Sequence, residues 1–227
     1  MLVKIRANTT RTPAPSALSA LAGREVPCCE FKYRERVEIF GEAEPAEYVY
    51  QIREGAVRTY KLLSDGRRQI GAFHLPGDIF GVENGDLHRF TAEAIVNTTV
   101  WIARRRSLFG ASAEGNIPAK RKVRELVTRS LEHAENHLLI LGRQTALEKV
   151  AAFLIEMDRR LEEPKEMILP MTRRDIADYL GLTLETVSRA LSILRHESVL
   201  SFLGKTQRNI LLHDRPKLIQ LALSPQA

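Results

Sequence analysis

The sequence predicts an α+β protein: an N-terminal β-roll of the jelly-roll kind, a long helix, and a C-terminal winged helix-turn-helix. Three observations predict it. Between about Phe31 and Leu108, short β-rich runs alternate with glycine turns, as in closed antiparallel rolls. From Ile117 to Leu141 a helical pattern runs without a glycine. From Met171 to His196 two short helical patterns flank a glycine turn.

In the roll, Tyr48 to Ile52 reads as a strand ended by Glu54-Gly55. Val57 to Leu63 alternates apolar and polar residues, and Ser64-Asp65-Gly66 turns it back into Gln69 to Leu75. Pro76-Gly77-Asp78 makes the next turn, and Phe90 to Ile95 and Thr98 to Ala103 are two more strands. The residues before the roll are small and polar, with Pro13 and Pro15 and no periodicity. Four segments follow: a flexible N-terminal tail over 1–26, the roll over 27–113, a dimerisation helix over 114–142, and the winged helix-turn-helix over 143–227.

The long helix carries Val127, Leu131, Ala134, Leu138 and Leu141 at alternating spacings of four and three, an a/d seam for a second copy of the chain. Leu126, Ser130, His133, His137 and Ile140 form a neighbouring stripe suited to the roll. One seam for a partner and one for the roll predict a parallel homodimer. His133 and His137, four apart, read as polar seam residues rather than a metal site. Gly142 then interrupts the pattern, and Gln144 to Leu161 forms a further helix with a broad apolar face.

In the C-terminal pattern Thr172 caps the first helix, with Asp175 completing a capping box, and Gly181 ends it. Thr183 caps the second, whose Val187, Ala190, Leu191 and Leu194 make an apolar stripe. Glu185, Ser188, Arg189 and Ser192 fall on the other side. The N-terminal half of such a second helix meets base edges in the major groove of double-stranded DNA. The chemistry suits that role: arginine takes guanine O6 and N7 together, glutamate accepts from cytosine N4, and a hydroxyl reads either. Glu185, Ser188 and Arg189 are therefore the expected base contacts. Thr172, Arg173 and Thr186, at helix starts, are expected on phosphates. Val199 to Leu203 and Ile210 to Leu212 read as a wing that brings Lys205 and Arg208 to the backbone.

Composition sets the bounds. The 227 residues carry a net charge of +6, with 44% hydrophobic and 27% charged residues. That permits a polyanionic partner, but the excess is not concentrated beyond Arg143. No apolar run approaches the roughly 20 residues of a membrane span, so no membrane association is expected. There is no secretory pattern at the N-terminus, and two adjacent cysteines, Cys28 and Cys29, suit a reducing cytoplasm.

The stretch Leu184-Glu185-Thr186-Val187-Ser188-Arg189 resembles the recognition-helix signature of the CRP/FNR superfamily of bacterial transcription regulators, in the spelling of its FNR branch. The wording LLSDGRRQIGAFHLPGDIFG and RRDIADYLGLTLETVSRAL is similar to the FixK-type regulators of rhizobia, from about Phe31 to the C-terminus. The resemblance implies a roll of the cyclic-nucleotide-binding type, an activator associated with nitrogen fixation, and a palindrome of TTGAT half-sites. It also implies RNA polymerase as a partner. The candidate surfaces are the turn Ser64, Asp65, Gly66, Arg67 and Arg68, and the loop with Glu162, Glu163, Lys165 and Glu166.

The resemblance does not extend to an effector. In the CRP branch a glutamate holds the ribose and an Arg-Ser pair the cyclic phosphate; here Asp78 and His88-Arg89 stand at those places. An FNR-type iron-sulfur cluster needs several spaced cysteines, which this chain lacks. A metalloenzyme roll needs clustered ligands, and His74 and His88 are alone on their segments. DNA binding without cofactor or metal is expected; a CRP-like regulator gated by a small molecule in the roll is the alternative.

Overall fold

The computed structural model describes residues 12–13, 16–109, 116–161, 166–204 and 207–223. They divide into two compact units, Met1–Thr59 with Phe73–Leu131, and Tyr60–Ala72 with Glu132–Ala227.

The roll supplies the first unit, and its hairpin segment Tyr60–Ala72 belongs to the second. Its chain order is β1 (Thr12–Pro13), α1 (Ser16–Ala22), β2 (Pro27–Tyr33), β3 (Glu38–Phe40), β4 (Tyr48–Glu54), β5 (Val57–Leu62), β6 (Arg68–His74), β7 (Ile79–Phe80), β8 (Thr91–Ala94), β9 (Thr98–Arg104) and α2 (Arg105–Phe109). One sheet has the order β1-β2-β9-β4-β7 and the other β3-β8-β5-β6. Strands β4 and β9 bury side chains on both faces. Tyr50, Ile52 and Val100 join Phe40, Val57, Phe80 and Ala92 in the core between the sheets. Val49 and Ala103 point the other way, into a second core with Cys28, Leu18, Leu21, Ala22 and Leu108.

That second core corrects the expected tail. Within 1–26, Ser16–Ala22 is a helix, and its Leu18, Leu21 and Ala22 are buried. An outward sheet face carrying Val49 and Ala103 needs an apolar cover, and α1 supplies part of it. Val123 and Leu126 of the long helix supply more. Cys28 lies in this core, where burial and the neighbouring Cys29 push its thiol up to about 11, so it stays protonated.

The long helix, α3 (Ile117–Leu141), has the expected bounds. Its second half belongs to the second unit, with α4 (Ala146–Leu161), β10 (Met167–Ile168), α5 (Arg173–Leu180), α6 (Leu184–His196), β11 (Leu200–Leu203), β12 (Asn209–Leu212) and α7 (Arg215–Leu223). α4 starts two residues later than expected. The Thr145 hydroxyl accepts from the Glu148 amide, and Glu148 accepts from the Gln144 amide, which sets the start after Thr145. Strands β10, β12 and β11 form the wing sheet, in that order. α7 was not expected; it follows the wing, and its Leu218 and Ala222 are buried.

The seam residues Val127, Leu131, Ala134 and Leu138 are exposed in the single chain. The neighbouring stripe does not lie wholly on the roll as expected. Leu126 does, but His137 stacks on Tyr179 of α5, with ring centroids 3.8 Å apart and planes within 3°. His137 is therefore a buried packing residue, not a polar residue of the seam.

Candidate nucleic-acid interface

The local rules of the helix-turn-helix are met by the expected residues. Thr172 is the N-cap of α5, and its hydroxyl accepts from the Asp175 amide at 3.2 Å. Asp175 Oδ2 in turn accepts from the Thr172 amide at 3.0 Å and its hydroxyl at 2.7 Å. Gly181 closes α5 with φ 64°, a left-handed geometry that costs glycine nothing. Thr183 caps α6 through the Thr186 amide. Val187, Ala190, Leu191 and Leu194 are buried, which fixes the rotation of α6 and turns its other face outward.

On that outward face Glu185 and Arg189 are exposed and Ser188 is half-buried. The Glu185 carboxyl is held below the ordinary value by its own backbone N–H and by the Thr183 hydroxyl, with Arg174 and Arg189 adding attraction. Glu185 is thus an ionised acceptor between two arginines. Arg174, exposed on α5, is a residue that the sequence reading missed. Its signal was its place beside Arg173 at a capped helix start.

The expected phosphate contacts separate into three groups. Arg173 is pre-positioned: its Nη2 donates to Gln207 Oε1, and its guanidinium lies 5.3 Å from the Phe202 ring centroid. Burial and the nearby Arg195 both oppose its charge, so an anion there relieves an existing repulsion. Gln207, Phe202 and Arg195 were not expected. The first two are on the wing, distant in sequence, while Arg195 lies seven residues after Ser188 on the same helical face. Arg208 is half-buried, with Nη1 near the Pro170 carbonyl at 3.4 Å. Thr186 keeps its hydroxyl 2.9 Å from that of Thr183. Thr172 is corrected: its N–H and O–H are both given to Asp175, so it has no donor left for a phosphate oxygen. Lys205 lies outside the described residues.

The turn Ser64, Asp65, Gly66 and Arg67 is exposed, with Arg67 Nε paired to Asp65 at 2.7 Å. Arg68 does not belong with them, which corrects its place on a polymerase surface. Its guanidinium donates to Asp175 at 2.7 Å and to Asp178 at 2.7 and 2.9 Å, and its side chain is only 21% exposed. Glu166 accepts from Asn209 on β12 at 2.8 Å. Glu162, Glu163 and Lys165 lie outside the described residues. No helix among the described residues is long and apolar enough to cross a membrane.

Residues 148–221 match the family model of a Crp-like helix-turn-helix domain, and residues 30–113 that of a cyclic nucleotide-binding domain. The nitrogen fixation regulation protein FixK of Rhizobium meliloti is 44% identical over 169 residues, 74% of this chain and 76% of that protein. Its namesake in Bradyrhizobium diazoefficiens is 45% identical over 166 residues, 71% of this chain and 70% of the relative. The solved structure of FixK2 from Bradyrhizobium japonicum is 56% identical and aligns with a TM-score of 0.82 over 88% of this chain and 99% of that one. These relatives are regulators rather than enzymes. With its nucleotide-binding-type roll, its capped helix pair and its wing, the chain belongs to the CRP/FNR family of DNA-binding transcription regulators and stands with the FixK type.

Proposed function

We propose that the protein acts as a homodimer that reads a palindrome of two TTGAT half-sites without a bound effector. The carrying observation is the outward edge of α6, where Glu185, Ser188 and Arg189 stand clear of the core. Arg189 takes the half-site guanine, Glu185 the cytosine paired with it, and Ser188 the thymine side. Arg173, Thr186, Arg208 and Lys205 serve the phosphates, and Arg174 joins them. Two-fold symmetry sets the half-sites about one helical turn, roughly 34 Å, apart. The dimer forms on Val127, Leu131, Ala134, Leu138 and Leu141 of α3. The segments 27–113, 114–142 and 143–227 then act as sensor-like roll, dimerisation helix and DNA reader, in the cytoplasm. Polymerase is met through Ser64 to Arg67, and through the loop at Glu166.

Effector independence is supported from inside the roll. His88, at the place of the phosphate-binding arginine, is buried and stacks on Phe40 with centroids 3.6 Å apart. Phe80 stacks on both Phe40 and Tyr50, so aromatic rings pack where His88 lies. Arg89 is exposed and pairs with Glu83 at 3.2 Å.

The test is fluorescence anisotropy of purified protein on a labelled TTGAT palindrome and on a scrambled duplex, at about 0.15 M salt. Selective binding without additive is expected. Selectivity that appears only on adding a cyclic nucleotide overturns effector independence, and equal binding to both duplexes overturns the half-site.

A further inference from the structure

Three side chains outside the 143–227 segment hold the first helix of the DNA-reading pair at its two ends. All lie in the second unit. At the N-terminal end, Arg68 of β6 bridges Asp175 and Asp178, one turn apart on α5. Asp175 is 2% exposed, so Arg68 is the counter-ion of a buried carboxylate. The same carboxylate carries the capping box of Thr172, so each of its oxygens has a partner. Arg68 is itself seated 5.4 Å from the Tyr60 ring centroid.

At the C-terminal end the Tyr179 carbonyl is one of the last four of α5, which have no partner within the helix. It accepts from His137 Nε2 at 2.8 Å and from Gln69 Nε2 at 3.3 Å. His137 also stacks on the Tyr179 ring. One helix of eight residues is thus gripped by a β-hairpin and by the long helix, beside the Arg173 and Arg174 that face the backbone of DNA.

We infer that Arg68, Gln69 and His137 are positioning residues for DNA reading: they set the placement of α5, and through it the docking of α6, without touching DNA. The inference rests on α5 and α6 being the DNA-reading pair. Arginine suits the N-terminal grip because its planar fork reaches two carboxylates at once, whereas lysine offers a single point charge.

The test uses the full chain with Arg68→Ala, Arg68→Lys, Gln69→Ala, and the exchanged pair Arg68→Asp with Asp178→Arg. Three readouts are taken: hydrogen exchange of the α5 amides, anisotropy on the palindrome and scrambled duplex over a range of salt, and transcription from a promoter that carries the palindrome. Arg68→Ala is expected to raise exchange across Arg173–Leu180 while β4 stays protected. It is also expected to weaken palindrome binding about tenfold. The slope of affinity against salt should not change, because no phosphate contact is lost. Arg68→Lys should recover part of the loss, and the exchanged pair more than either single change. Unchanged α5 exchange or unchanged affinity overturns the inference. So does a shallower salt slope, which would place Arg68 on a phosphate. So does transcription that falls while DNA affinity holds, which would return Arg68 to the polymerase. If Arg68→Ala fails to fold, Gln69→Ala, which removes one neutral donor, decides by the same readouts. If the unaltered protein does not prefer the palindrome, the half-site is wrong; exchange and affinity for the scrambled duplex still decide the grip.

Discussion

Helices α3 and α6 both carry an apolar stripe at helical spacing, yet they treat it in opposite ways. In α6, Val187, Leu191 and Leu194 are at most 2% exposed, and the polar face is left to solvent. In α3, Val127, Leu131 and Leu138 are 54%, 57% and 67% exposed. A helix that buries its stripe within its own chain is oriented by it, and its free face is then available to a polar, charged partner. A helix that leaves its stripe in water is incomplete, and the partner that completes it must be apolar. That is why α6 suits nucleic acid, and why the proposed dimer is placed on α3.

Four experiments break or sharpen that contrast. The largest effect is expected from Leu131→Glu with Leu138→Glu. Charges at two seam positions should give a monomer in sedimentation and weaken palindrome binding about a hundredfold or more, since two linked half-sites become one. A dimer that survives would mean the α3 stripe has another purpose. Next comes Leu194→Ala on the buried side of α6, expected to cost about 2–5 kcal/mol in denaturant unfolding. A cost under about 1 kcal/mol would show the stripe is not holding the helix. On the outward side, Arg189→Ala should leave stability almost unchanged and cost about 1–3 kcal/mol of DNA binding per half-site. Undiminished discrimination between palindrome and scrambled duplex would remove Arg189 from the guanine.

The smallest effect is a pH dependence. Burial lowers the values of His88 and His137 from 6.5, so the fold holds both neutral. Their contribution is present above pH 6.5, where the unfolded chain is neutral as well. It is lost as pH falls, because the unfolded chain then takes up protons that the fold resists. A lower denaturant midpoint at about pH 5.5 than at about pH 7.5 is expected, and His137→Gln should reduce the difference. His88 and His137 lie in different units, so His137→Gln reports on the second unit alone.

What the sequence revealed and what it hid follow the same line between local and distant. The capping box, the Gly181 turn, the α6 stripe and the bounds of α3 depend on residues within one or two turns, and spacing alone disclosed them. The expected tail concealed α1 because seven residues of Ser, Ala and Leu carry too little pattern to separate a helix from a linker. What buries Leu18 is a sheet face assembled from β2, β4 and β9. Arg68 was misplaced for a similar reason. In sequence it closes an exposed turn, whereas its carboxylate partners lie 107 and 110 residues away. Gln207 and Phe202 escaped because only the folded wing brings them to Arg173.

The Asp175 carboxylate, shared between a helix cap and a distant arginine, bears on how this protein can be taken apart. A DNA-reading module cut at residue 143 would keep Asp175, Asp178 and Tyr179 and leave behind Arg68, Gln69 and His137. A graft of that module onto another dimeriser would inherit a buried carboxylate without its cation and a helix end without its donors. The transplantable unit is wider than the segment that faces DNA: it includes one hairpin of the roll and the last turns of α3.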